Sequence, residues 1–427
     1  MYKITSVRAT SLVAGNMIGS GVLLAPALLA PYGTMSLVGW CLTTLGALAL
    51  ALVFSRLSIW IPKSGGPYTF AKHVFGDFVG FQMAWGYWIS AWCGSASLLA
   101  GALQYMSIFC PEWIANPMFS MCFGCSMIWI FTFFNIKGIK ASTSIEIIIT
   151  TIKILPLIIV AVVGIFFVDF SNVFNMADIS KHGIESLGKM SGVLLWAFIG
   201  LESATIPADN VENPKRTIPL ATISGVLIVA AVYICGAIVI GGVIPAEQLA
   251  VSKAPYVDAA RGIFGEWGAT IMAVTGIIGI VGSLNGWILI QGQVPLSAAE
   301  EGLFPKYFAK TNKNGAPNGV VVGSSLMTVL FLLTYQPAIV EYVNVLIDIS
   351  VMSMLLPYFY SAIAFCYMAV MNKEQLSKTE KITLPIVGLV SILYTFSAIF
   401  GLGEHLISLA FIMFLVSVPF YCTIKKN

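Results

Sequence analysis

A chain of 427 residues in which 58% are hydrophobic and only 10% charged, with a mean hydropathy of +0.91, has too little polar surface for a soluble domain. Its formal net charge of +3 comes without acidic or basic tails, which excludes a nucleic-acid partner, and the chain reads as an all-α polytopic membrane protein. The cysteines Cys41, Cys93, Cys110, Cys122, Cys125, Cys235, Cys366 and Cys422 fall mostly in apolar stretches without metal-site spacing. They are expected to be small core residues, and neither a metal nor a cofactor is called for.

At roughly 20 residues per crossing, the sequence predicts about twelve helical spans, near residues 8–30, 35–61, 77–109, 117–136, 142–168, 186–208, 217–243, 267–297, 317–334, 341–371, 383–401 and 404–423. Lys3 and Arg8 precede the first apolar run as in a signal peptide, but the run is long and leads directly into another span, so it is expected to be retained. Span 1, VAGNMIGSGVLLAPALLAPYG, carries Asn16 and then Gly19-Ser20-Gly21 near its middle. That tripeptide costs a helix about 1–2 kcal/mol relative to alanines, and in lipid each freed backbone group needs a partner inside the protein.

Lys153 in the fifth span sits roughly 16 Å into a core about 30 Å thick, too deep for snorkelling. The sixth span shares the defect of the first: in LLWAFIGLESATIPADNVENPKRTIP, Gly200 and Glu202 interrupt the apolar stretch and Pro207 closes it. Breaks five spans apart point to an inverted-repeat transporter with substrate at the midplane, the freed amides facing an anionic group. Asp348 in NVLIDISVMSMLLPY adds a carboxylate to the tenth span. It is open to three roles: holding a cationic head group, carrying a proton, or facing a water-filled vestibule.

Lys and Arg alternate between loops as this count requires. Lys181, Lys189, Lys253 and Arg261 fall on one side, Lys153 within a span, and the rest on the side of both termini, which is therefore cytoplasmic. His73, His182 and His405 fall in three separate loops, and no nucleophilic triad, HExxH or paired-carboxylate motif is present, so an enzyme is not expected.

Four stretches, GNMIGSGVLLAPA, SGGPYTFAKHVFG, LLWAFIGLESATIPADNVENPKRTIPLAT and SLNGWILIQGQVPLSAAEEGLFPKYFAKTNKNGAPNGV, resemble the amino acid–polyamine–organocation (APC) transporters. The similarity runs from end to end and is strongest to the basic amino acid/polyamine antiporters of the arginine/agmatine and lysine/cadaverine type. The resemblance implies a LeuT-type fold, with 1–168 and 169–373 as inverted five-helix repeats and 374–427 as two further helices.

It also implies site residues. Asn16, Ile18, Gly19, Ser20 and Gly21 would bind substrate, the bend holding its carboxylate, with Ile199 and Gly200 as the facing bend. Trp196 would stack on the substrate, Trp287 would form a middle gate and Tyr87 an outer one, while Ser90, Ser95 and Ser350 would complete the pocket. Glu202 would act near the inner gate, and Tyr68 in the loop between spans 2 and 3. Two departures stand out. Ser95 replaces an asparagine of the arginine/agmatine type, leaving room for another head group. Lys153 matches proton-coupled, sodium-independent relatives instead, where an ammonium fills a sodium site. It is expected beside carbonyls near Gly19 and beside Ser283 or Asn285, as proton carrier, fixed cation or vestibule group.

The function expected is exchange of amino acids, cationic ones foremost, or related amines and polyamines by alternating access. The alternatives kept are a proton-coupled symporter of broader or neutral specificity and a non-transporting amino acid sensor. Substrate, protons and the lipid bilayer are the partners, and oligomeric state is left open, a homodimer included. The location expected is the plasma membrane, the inner one in a Gram-negative cell.

Overall fold

The computed structural model describes residues 3–174, 183, 185–336 and 340–426, with the side chains of 340–351 and 425–426 outside the description. The first apolar segment is two helices, α1 (Ser6–Met17) and α2 (Ser20–Leu29), bent by 41°. α3 (Thr34–Trp60), α4 (Pro67–Met106), α5 (Pro117–Ile136) and α6 (Ile139–Gly164) follow. Further along the chain α7 (Glu185–Trp196) ends early, then α8 (Pro214–Val243), α9 (Pro255–Glu300), α10 (Asn318–Leu333) and α11 (Val340–Met371) run on. α12 (Lys378–Gly401) and α13 (Glu404–Lys426) close the chain.

Among the described residues eight helices are long and apolar enough to cross a membrane, or nine with the bent pair, and there is no strand beyond two isolated bridges. An all-helical chain satisfies its backbone within each segment, which is what a bilayer demands. The spans are graded by burial. The most apolar window of α9 is 78% buried within the protein, whereas that of α13 is 11%, so α9 is central and α13 offers its surface to lipid. Ile386, Leu389, Leu393, Phe396 and Phe400 form an exposed apolar flank on α12. The cysteines follow this geometry and correct the expectation that they are core: Cys93 is buried, but Cys41, Cys122, Cys235 and Cys422 are exposed, a thiol being apolar enough to face acyl chains.

Three boundaries differ from the sequence reading. The third and eighth helices begin ten or more residues early, at Pro67 and Pro255, and each turns at a glycine, Gly76 (φ 84°) and Gly265 (φ 71°). A proline at the first helical position starts each helix, and the glycine lets it change direction before the apolar run begins. The sixth segment does not resume as an α-helix after its break. Residues beyond Trp196 form turns and two 3-10 turns, Ser203–Thr205 and Ala208–Asn210.

At the Lys/Arg-rich end the N-terminal strand of chain is tied down. Ile4 N–H donates to Asn210 O (2.7 Å), Glu212 N–H donates to Ile4 O (2.9 Å) and Gly65 N–H to Ile206 O (2.9 Å). Asp209 N–H donates to Ser64 Oγ (2.8 Å), and Lys72 pairs with Glu301 (2.8 Å).

Candidate functional site

The two breaks meet. Gly200 has φ +108°, and a β-carbon there would lie 2.9 Å from Asn16 Cβ and 3.2 Å from Met17 N. Only glycine satisfies both the positive φ and the contact. Several carbonyls and one amide freed by the breaks find partners inside the protein. Lys153 Nζ donates to the carbonyl of Gly15, to Ile18 O (2.9 Å) and to Ser283 Oγ (3.0 Å), using its three protons. The Tyr233 hydroxyl lies 2.9 Å from Met17 O and 3.1 Å from Ala197 O, one side chain serving both breaks. Gly200 N–H donates to the Tyr358 hydroxyl (3.2 Å).

Beside the breaks lies a small cavity of about 60 Å³, walled by both broken segments. α1 and the bend give it Asn16, Met17, Gly19 and Gly21, and α4 gives Ser90, Ala91, Gly94, Ser95 and Leu98. Trp196 and Ile199 come from the second break, Trp287 from α9 and Met354 from α11. Gly21 and Trp196 face each other so closely that a β-carbon on Gly21 would sit 2.6 Å from the indole Cδ1. The Gly19 amide donates to Met17 O (3.1 Å), and those of Ser20 and Gly21 belong to the first turn of α2, where a helix has unsatisfied donors and a positive dipole end.

Of the residues expected to bind substrate, Asn16, Gly19, Gly21, Ser90, Ser95, Trp196, Ile199 and Trp287 line this cavity. Ile18, Ser20 and Gly200 do not: Ile18 offers its carbonyl to Lys153, Ser20 turns toward Gly101, and Gly200 supports the crossing. Asp348 and Ser350 lie on α11, but their side chains fall outside the described residues. Asn16 donates to Ser203 Oγ (2.8 Å), and its Oδ1 is buried against Gly286 of α9, where a β-carbon would lie 1.9 Å from it.

Glu202 is fully buried and accepts hydrogen bonds from the hydroxyls of Tyr87 and Tyr358. Tyr87, expected at an outer gate, is therefore placed in this cluster and not on the cavity wall. Tyr68 is not in a loop: it lies in the first turn of α4, 1% exposed. Gly65 (φ +113°) and Gly66 (φ +63°) turn the chain immediately before it, so that Pro67 starts the helix there. Of the two partners expected for Lys153, Ser283 is the one. Asn285 turns instead to Ser142 O (3.0 Å) and to Glu146 (2.7 Å). Sequence reasoning missed Tyr233, Tyr358 and Glu146; the first two sit in apolar runs as ordinary aromatic residues, but a glutamate inside the fifth span was a readable signal.

The chain matches the amino acid permease family over residues 4–421. It is 31% identical over 429 residues to the cadaverine/lysine antiporter of Escherichia coli, covering 98% of this chain and 94% of that protein. It is 32% identical over 407 residues to the putrescine transporter PotE of Haemophilus influenzae, covering 94% and 92%. The Escherichia coli putrescine transporter PotE is 31% identical over 408 residues, with the same coverage. Two interrupted helices enclosing one cavity, in a chain matched over nearly its whole length, make this protein a member of the amino acid permease family of the APC superfamily: a polytopic membrane transporter and not an enzyme.

Proposed function

We propose that this transporter exchanges cationic amino acids for amines of the kind their decarboxylation yields. It does so on a LeuT-type frame of twelve spans, with 1–168 and 169–373 as inverted repeats, 374–427 outside them, and both termini in the cytoplasm. The observation that carries the reading is the pair of broken segments facing each other across one cavity. The repeat is supported further by the matching long helices α4 and α9, each started by a proline and turned at Gly76 or Gly265. The alternation of Lys and Arg between loops supports the orientation, and the relatives' names support the substrate class.

In this reading the α2 N-terminal amides hold the substrate carboxylate, while Trp196 and Trp287 offer aromatic faces to its cationic end, a contact of about 2 kcal/mol when desolvated. Asp348 supplies a second intramembrane carboxylate for that end or for a proton. The Tyr87–Glu202–Tyr358 cluster is a closure that can exchange a proton with the inner vestibule, and Lys153 fastens α6 to the α1 bend in place of a sodium ion. A second reading, a symporter for neutral amino acids, is favoured by one observation: among the described residues, no charged side chain lines the cavity.

Titration calorimetry on the purified protein separates the two readings. Lysine or cadaverine binding, with leucine silent, is the expected result. Leucine binding without lysine binding replaces the cationic reading by the neutral one.

A further inference from the structure

Glu146 on α6 is fully buried and takes no part in the function proposed above. Its carboxylate accepts from Asn285 Nδ2 (2.7 Å) and Thr150 Oγ1 (3.4 Å). It also rests against the backbone of Gly15 so closely that a β-carbon there would collide with Oε1. The Asn285 amide is oriented by its neighbours. Its Nδ2 also donates to Ser142 O (3.0 Å), and its Oδ1 accepts from Asn135 Nδ2 (3.2 Å), so it presents a donor to the carboxylate.

Seven residues on, about 10 Å along the same face of α6, Lys153 reaches the carbonyl of the same Gly15. Its stem fits past α9 because Gly279 has no side chain; a β-carbon there would lie 2.8 Å from Lys153 Cβ. The last turn of α1 is thus gripped by a carboxylate and an ammonium, both fixed to α6. Both are buried, ionisable side chains of one helix and meet the same glycine. Arg8 on α1 donates to Thr143 Oγ1 (3.1 Å), Ser144 Oγ (2.9 Å) and Lys140 O (3.3 Å) at the start of α6. All of Lys153's direct acceptors are neutral oxygens, and a buried ion with no counter-charge costs several kcal/mol.

We propose that Glu146 is a positioning residue, the counter-charge of the Lys153 ammonium, and that the two clamp Gly15 so that α1 moves with α6 when the chain bends at Ile18–Gly19. The transport part of this inference rests on the exchange reading; the charge pairing does not. Glu146→Gln and Lys153→Met each leave one buried charge alone, and the double variant leaves none.

In proteoliposomes, Glu146→Gln is expected to keep KM within about threefold and to lower turnover about tenfold or more, the equivalent of 1.4 kcal/mol, because the clamp lies outside the cavity. The double variant is expected to recover much of the turnover lost by the worse single variant. Unchanged turnover in Glu146→Gln, or a double variant no better than the worse single, overturns the proposal. If Glu146→Gln yields no folded protein, Glu146→Asp replaces it, since it keeps the charge but draws it back from Gly15: the same loss of turnover with KM kept supports the clamp, and unchanged turnover overturns it. Thermal midpoints of the four proteins test the pairing without transport. Additive midpoints overturn it, whereas a wild-type protein that binds but never exchanges overturns the exchange reading alone.

Discussion

Gly21 has no side chain because the Trp196 indole occupies the space a β-carbon would need. Gly21→Ala is therefore expected to push the ring from its place and weaken binding several-fold, read as a higher KM with the fold intact by size-exclusion chromatography. Trp196→Leu keeps apolar volume but removes the aromatic face; losing about 2 kcal/mol of cation–π attraction means roughly a tenfold to thirtyfold weaker affinity for a cationic substrate in the calorimeter, and an unchanged affinity would remove the ring from the site. Glu202, held by two tyrosine hydroxyls, has no other charged group bonded to it. Glu202→Gln cannot exchange a proton, so its exchange rate is expected to lose the pH dependence of the wild type between pH 5 and 7.5; an identical profile would make Glu202 structural. Glu202 was legible because a carboxylate is costly inside a bilayer, and Gly21 because the Gly-Ser-Gly run weakens a helix, whereas Trp196 stood out only by its place in a motif shared with the family. Tyr233 and Tyr358 were not legible, because a tyrosine in an apolar run looks the same whether its hydroxyl is idle or holds a broken helix together.

Tyr233 joins two elements through carbonyls of α1 and of the break after α7. Tyr233→Phe removes the one proton these carbonyls share, at a cost of about 1–3 kcal/mol, so a lower thermal midpoint in detergent is expected. At the Lys/Arg-rich end, Ile4→Pro removes the donor to Asn210 O, and is expected to speed thiol labelling of a cysteine placed at Ser297, a residue of the cavity beneath that end, in a background freed of native cysteines. Labelling at the wild-type rate would show that this contact does not hold the end closed. Helix positions were readable from apolar runs alone, which is why the early starts at Pro67 and Pro255 were lost. Those segments are amphipathic and join their spans through a glycine kink, so hydropathy places the boundary at the kink. The 3-10 turns after Trp196 were likewise invisible, since composition does not distinguish a turn from a tight helix when Pro207 and Gly200 permit both.

At the scale of the molecule, the first and sixth segments are both interrupted, α4 and α9 are each long, proline-started and glycine-kinked, and the two breaks meet at one cavity; in the proposed repeat these features fall one to each half. A cavity whose walls come from both halves can open to either side if the halves rock against each other, and exchange follows when the empty carrier reorients slowly. The direct test is counterflow: proteoliposomes loaded with radiolabelled lysine, diluted into buffer alone or into buffer with cadaverine, putrescine or leucine. The account predicts slow efflux into buffer and efflux accelerated by an external cationic amine but not by leucine. Efflux equally fast into empty buffer, or accelerated only by leucine, would contradict it.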